Sequence, residues 1–172
     1  TFGYAGCFSF QNSKNLPIGE GGAIVSNDEK FIDRCHSYHN LGFPYGTSIG
    51  SVSSGSIISG NKLRLTEYQA AIGIAQLKRL DSQTTARTTN AAYLTSKLKQ
   101  IPGILPIQTY PEVTRPVYHL YAFRYKKEAF KGLSRDAVMN ALDAEGISCY
   151  GGYTQLNLMP FIKDAFQTKN FV

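Results

Sequence analysis

Apolar and polar residues alternate near the start of the chain. Phe8 and Phe10 fall on one face of an extended segment, and Ser9 and Gln11 fall on the other. This predicts a buried strand over 6–10, with two polar side chains sharing a face just upstream of Lys14. The alternation then stops at a polar loop carrying that lysine. Gly19, Gly21 and Gly22 follow, where glycine permits positive φ and close approach of the backbone to a ligand. A second strand is expected over 22–25.

The period then changes to that of a helix. Ser26-x-x-Glu29 reads as a capping box opening a helix over 27–38, with Phe31, Ile32, Cys35 and Tyr38 as its apolar face. His36 and His39 sit at its end, where such side chains bond a carbonyl or water; no spacing makes them metal ligands. Positions 41–60 lack periodicity and are rich in Gly and Ser. A loop of this length is functional or a surface excursion, and Tyr45 is its residue of interest.

Thr66-x-x-Gln69 is a second capping box, opening a helix expected to run to about position 80. Tyr68, Ile72, Ile74, Ala75 and Leu77 line a stripe that suits a core or a subunit interface. Another helix is expected over 82–99, ended by Pro102-Gly103, with a domain boundary near Thr88. Beyond it the pattern predicts a strand over 120–125 and a helix over 135–144, capped by Ser134 and stopped by Gly146. A strand over 147–150 completes an α+β module. No internal repeat is visible.

Composition narrows the class. The 172 residues are 42% hydrophobic and 17% charged, as in ordinary globular chains. No apolar run approaches the roughly 18 residues of a membrane span. No signal peptide is visible, so a cytoplasmic protein is expected. Cys7, Cys35 and Cys149 are far apart without a C-x-x-C pair, which argues for buried reduced thiols rather than a disulfide framework or zinc site. The net charge of +6 is dispersed. Its one concentration, Arg124, Lys126, Lys127, Lys131 and Arg135, is broken by Glu128 and Asp136 and reads as a solvated face. A nucleic-acid interface would need a basic stripe with interleaved aromatics, so neither nucleic acid nor membrane is expected as a partner.

Chemistry concentrates at Lys14. Buried lysines give up their charged form readily and form Schiff bases with carbonyl compounds, which makes Lys14 a candidate for holding an aldehyde cofactor. A lysine in a polar loop is otherwise a solvated charge, and G-x-G-G is otherwise a hairpin turn.

The stretch Ser9-Phe10-x-x-x-Lys14-x-Leu16-x-x-Gly19-Glu20-Gly21-Gly22 resembles the cofactor-lysine signature of the DegT/StrS-type sugar aminotransferases, which depend on pyridoxal 5′-phosphate (PLP). Arg64-Leu65-Thr66-Glu67-Tyr68-Gln69-Ala70-Ala71-Ile72-Gly73, about fifty residues on, is similar to a second block of that family. Tyr118-His119-Leu120-Tyr121 and Glu145-Gly146-Ile147 also fit.

The resemblance implies an α/β chain of the fold-type I PLP transferases. Residues 1–88 would end the large cofactor domain, and 89–172 would form most of the small α+β C-terminal domain. The chain would be a fragment truncated at both ends. The family's N-terminal half, which supplies the acid at the pyridine nitrogen and the stacking aromatic, has no counterpart in it, so on its own it is not expected to catalyse.

Lys14 would be the catalytic, Schiff-base lysine and Ser9 a phosphate donor. Gln11, where many members carry histidine, resembles the branch that aminates keto cyclitols. The family's cross-dimer phosphate ligand falls on Lys62 in ungapped register, with Asn61 one residue earlier as the alternative; lysine can serve as a point-charge phosphate binder. Arg64 matches a family arginine. The implied reaction moves an amino group from glutamate or glutamine to a keto sugar, nucleotide-linked, or a keto cyclitol, in a homodimer. Two alternatives stand beside it. One is a PLP-dependent sugar dehydratase, whose branch replaces the lysine by histidine; the other is a non-catalytic protein keeping the fold.

Overall fold

The structure is a computed structural model that describes residues 1–48 and 55–166. The chain divides into two compact units, Thr1–Thr95 with Thr109–Tyr121, and Ser96–Gln108 with the chain from Ala122 onward.

The first unit opens with an antiparallel hairpin, β1 (Ala5–Ser9) and β2 (Gly22–Ser26), in a register that pairs Ser9 with Gly22 and Phe8 with Ala23. The strands fall where alternation predicts them. The expectation that β1 is buried is corrected: Phe8 is 58% exposed, and Ile24 and Val25 are also accessible. A two-stranded ribbon cannot bury its own faces, and among the described residues no further strand joins it. Cys7, on the same strand, is likewise exposed rather than buried, while Cys35 and Cys149 are half-buried; all three are free thiols.

Helix α1 spans Glu29–His39, and its N-cap is Asp28, not Ser26. The Phe31 amide donates to Asp28 Oδ1 at 3.0 Å, while Ser26 Oγ accepts from the Asp28 amide at 3.1 Å. The carboxylate prevails because it meets both the free amides and the positive end of the helix dipole. The Phe31 amide, with the Tyr4 hydroxyl donating at 3.0 Å, holds the Asp28 carboxyl below its ordinary range. The same hydrogen bond raises the Tyr4 phenol. At the far end the His39 ring nitrogen Nδ1 lies 2.6 Å from the His36 carbonyl, as helix-end histidines are expected to do. Tyr45 packs edge-on against His36. Positions 49–54 of the long loop lie outside the described residues.

Helix α2 runs unbroken over Glu67–Leu98, so the expected division into two helices near position 81 is corrected. Nothing there breaks a helix: Ser82 bonds back to the Arg79 carbonyl, and Thr85 to the Asp81 carbonyl, instead of capping a new start. The capping box at its N-terminus is present. Thr66 Oγ1 accepts from the Gln69 amide at 3.3 Å, and Gln69 Oε1 accepts from the Thr66 amide at 3.2 Å. The stripe of Tyr68, Ile72, Ile74 and Leu77 is exposed.

The second unit contains β3 (Ile104–Pro106) paired antiparallel with β4 (Phe123–Tyr125), then α3 (Arg135–Ala144) and α4 (Pro160–Phe166). β4 is shorter than the strand expected over 120–125. Helix α3 has the expected bounds, with Ser134 Oγ accepting from the Ala137 amide and Gly146 turning the chain at φ 80°. Residues 147–150 are not a strand. The Ile147 amide turns back to the Leu142 carbonyl, and no strand edge among the described residues receives the segment. Arg124, Lys126, Lys127, Lys131 and Arg135 are all exposed, a solvated face. Among the described residues no helix is long and apolar enough to cross a membrane, and no three metal-binding side chains cluster.

Candidate active site

The hairpin presents residues 10–21 as a closed loop. Phe10 locks it twice: its amide donates to the Gly21 carbonyl and its carbonyl accepts from the Ile18 amide, both at 2.9 Å. Ile18, only 4% exposed, is the apolar plug of the loop.

Three predicted site residues come together here. Ser9 closes β1, and its Oγ accepts a long 3.3 Å bond from the Gln11 amide. Its hydroxyl proton is uncommitted among the described residues. The Gln11 side-chain oxygen accepts from both the Ser13 amide (2.8 Å) and the Ser13 hydroxyl (2.7 Å). Its NH2 has no partner among the described residues, so it can donate outward. The Lys14 amide donates to the Gln11 carbonyl at 2.9 Å. That side chain is half-buried, and its amine meets no hydrogen-bond or ion-pair partner among the described residues.

The glycine turn is built by close packing. A Cβ on Gly21 would lie 3.0 Å from Leu65 Cδ1 and 3.1 Å from Ile18 Cδ1, and one on Gly22 would lie 2.5 Å from the Phe8 carbonyl oxygen. Gln69 Nε2 donates to the Glu20 carbonyl at 2.6 Å. Leu65 and Gln69 thus bring the second sequence block against the turn of the first.

No hydrogen bond or ion pair among the described residues joins Asn61 or Lys62 to the lysine loop. Lys62 pairs with Asn40 in an isolated antiparallel bridge at the end of α1. Asn61 Nδ2 donates to the Tyr38 hydroxyl at 2.8 Å, so that amide is engaged within the chain. The Lys62 side chain is exposed, and its ammonium has no partner among the described residues.

One neighbour of the loop was not foreseen. Asn15 Nδ2 donates to the Val117 carbonyl at 2.9 Å, across 102 positions of sequence. The acceptor is a backbone atom, so no side-chain pattern signals it.

The chain matches the DegT/DnrJ/EryC1/StrS aminotransferase family over residues 1–171. It is 35% identical over 149 residues to an L-glutamine:2-deoxy-scyllo-inosose aminotransferase of Streptoalloteichus tenebrarius, covering 83% of this chain and 35% of that protein. It superimposes on the crystal structure of S. venezuelae DesV with a TM-score of 0.79 and 33% identity, covering 94% of this chain and 40% of that one. On the sugar aminotransferase CalS13 of Micromonospora echinospora the TM-score is 0.83 at 23% identity, covering 99% and 44%. The chain spans between 34% and 44% of the length of the curated relatives it matches. The α/β framework expected of fold-type I transferases is borne out. With a family match over nearly its whole length, the chain belongs to the DegT/DnrJ/EryC1/StrS aminotransferase family.

Proposed function

We propose that the full protein is a PLP-dependent aminotransferase that passes an amino group from glutamine to a keto cyclitol, with nucleotide-linked keto sugars and glutamate as the alternative acceptor and donor. The observation that carries this reading is the half-buried Lys14, whose amine is free of partners among the described residues, in a loop tied at Phe10 beside the Ser9 hydroxyl. The named activity of the relative from Streptoalloteichus tenebrarius supports the choice of cyclitol and glutamine.

The donor set suits PLP. Lys14 provides the amine that a cofactor aldehyde requires. Ser9 provides an uncommitted hydroxyl for a phosphate oxygen, and the Gln11 NH2 a further donor. PLP, when bound, supplies an electron sink for charge developing at the substrate α-carbon. With PLP held there, Lys14 Nζ would serve as the base that takes the substrate α-proton and then as the acid that delivers it to the carbon that had carried the cofactor aldehyde. Residues 1–88 form the end of the cofactor domain in this reading and 89–172 most of the small domain. The working unit is a cytoplasmic homodimer in which Lys62, or else Asn61, reaches the partner's phosphate site.

The test is amination by the full-length protein with PLP and glutamine, offered 2-deoxy-scyllo-inosose or a nucleotide-linked keto sugar, with the amino product read by mass. Turnover of the cyclitol is expected. Turnover of the nucleotide sugar alone would move the acceptor assignment, and consumption of neither would favour a non-catalytic protein keeping the fold.

A further inference from the structure

The segment carrying the Val117 carbonyl is fastened along one face of α2. Arg115 donates to Asp81 Oδ1 at 2.6 Å, to the Asp81 carbonyl at 3.0 Å and to Thr85 Oγ1 at 3.0 Å. The Thr88 hydroxyl lies 2.9 Å from the Thr84 carbonyl and 3.0 Å from the Pro116 carbonyl, sharing one proton between them. Thr95 Oγ1 and the Tyr121 hydroxyl are 2.7 Å apart. Positions 81, 85, 88 and 95 recur at helical spacing and share one face of α2.

The lengths agree with this arrangement. From position 81 to 95 the helix rises ~21 Å. The six steps from 115 to 121 reach at most ~20 Å, and the long Arg115 side chain covers the rest of the distance to Asp81. Residues 115–121 therefore form a strap running along α2, bent at 119–120 and fixed at both ends.

Between those ends, Val117 accepts the bond from Asn15, and the next residue, Tyr118, has φ 43°. A left-handed conformation is unfavourable for a bulky aromatic residue and persists only where surrounding contacts enforce it. The Tyr118 ring stacks on Tyr121 at 6.1 Å, inside the same strap.

We propose that Asn15 is a positioning residue for Lys14, tethering the reactive loop through the Val117 carbonyl to a strap anchored on α2. The proposal rests on the reading of Lys14 as the cofactor lysine. A lysine that anchors a cofactor and then carries a proton moves its side chain while its Cα must stay in place. On one side of it the Lys14 amide is held by the Gln11 carbonyl. On the other side the next side chain along, Asn15, supplies the tie to a rigid element. Loss of that tie lets the amine drift from the reacting carbon, and a shift of about 1 Å in such a group costs up to about a hundredfold in rate.

The experiment uses the full-length protein with PLP and three variants. Asn15→Asp keeps the shape but removes the donor, Asn15→Ala removes the group, and Arg115→Met loosens the strap at a distance. Amide hydrogen exchange is followed by mass in peptides covering 11–18 and 114–121, and kcat and KM are measured for the amino donor. Both Asn15 variants are expected to exchange about tenfold faster in the two peptides, the effect of one lost hydrogen bond. Arg115→Met is expected to loosen 11–18 as well, although it does not touch that loop. In the Asn15 variants kcat falls by roughly ten- to a hundredfold with KM unchanged within about twofold.

Unaltered exchange over 11–18 in all three variants overturns the tether. Faster exchange with kcat retained overturns the positioning role and leaves a purely structural contact. A wild-type protein in which borohydride fixes PLP elsewhere than on Lys14 removes the underlying reading, and the exchange data then stand as a separate result on the strap.

Discussion

Replacing Gly22 with alanine places a Cβ 2.5 Å from the carbonyl oxygen of Phe8. Ordinary carbon–oxygen approach is about 3.3 Å or more, so the two groups must separate by roughly 0.8 Å. The obstructing atom is backbone in a strand, and no rotamer change can relieve it. Overpacking of this kind costs about 1–3 kcal/mol. Parting the strands where Ser9 pairs with Gly22 weakens one ladder hydrogen bond, about 1 kcal/mol more. The expected total is about 2–4 kcal/mol.

Gly19→Ala serves as the internal comparison. Gly19 has φ 96°, and beyond its chain neighbours no atom of the described residues lies within 4 Å of its added Cβ, so only backbone strain of about 1–2 kcal/mol applies. Urea unfolding of the full-length protein, with midpoints compared at a common m-value, measures the difference. PLP titration of the same variants reports on Ser9, which the Gly22 wedge displaces and the Gly19 change does not. The reasoning is refuted if Gly22→Ala lies within about 0.5 kcal/mol of wild type, below the smallest overpacking cost, or if Gly19→Ala is the more damaging change.

Three further outcomes are expected. Ser9→Ala removes the hydroxyl assigned to the cofactor phosphate; a hydrogen bond to a charged group is worth about 1.5–3 kcal/mol, so PLP affinity should fall by about ten- to a hundredfold in a fluorescence titration. Lys62→Ala should weaken PLP binding without lowering Tm, whereas Asn61→Ala, by removing the bond to Tyr38, should lower Tm and leave PLP affinity unchanged. Because the folded state holds the Asp28 carboxyl below its ordinary range, its stabilisation is present above the unfolded value of about 3.9 and is lost as pH falls through the lower folded value. Acid unfolding followed from about pH 5 down to about pH 2 should therefore be steeper in wild type than in Asp28→Asn, which keeps a capping oxygen without the titration.

The features legible in sequence are those written over three or four neighbouring positions. Alternation places β1, and the glycines place the turn into β2. Thr66 with Gln69 and Ser134 with Ala137 mark helix starts because a side chain caps an amide three residues on. The same logic misplaced the start of α1, where Asp28 competes with Ser26 for the same amides. It also divided α2, since a polar stretch without Gly or Pro looks like a junction but does not interrupt a helix. Residues 147–150 have strand-forming side chains without a partner edge among the described residues, and pairing is not a local property. The exposure of Phe8 and Cys7 depends on what packs against a sheet face, which alternation does not encode. In the candidate site, the grouping of Ser9, Gln11 and Lys14 was legible because one loop carries them. The strap was not: Arg115 meets Asp81 across 34 positions and Asn15 meets a carbonyl across 102.

The central claim, that Lys14 carries the cofactor, is tested most directly by adding PLP to the full-length protein, reducing with borohydride and mapping the modified peptide by mass, with the 172-residue chain treated in parallel. The account predicts label on Lys14 in the full-length protein, lost in Lys14→Ala. Absence of bound PLP, or label scattered over surface lysines and unchanged in Lys14→Ala, would contradict it.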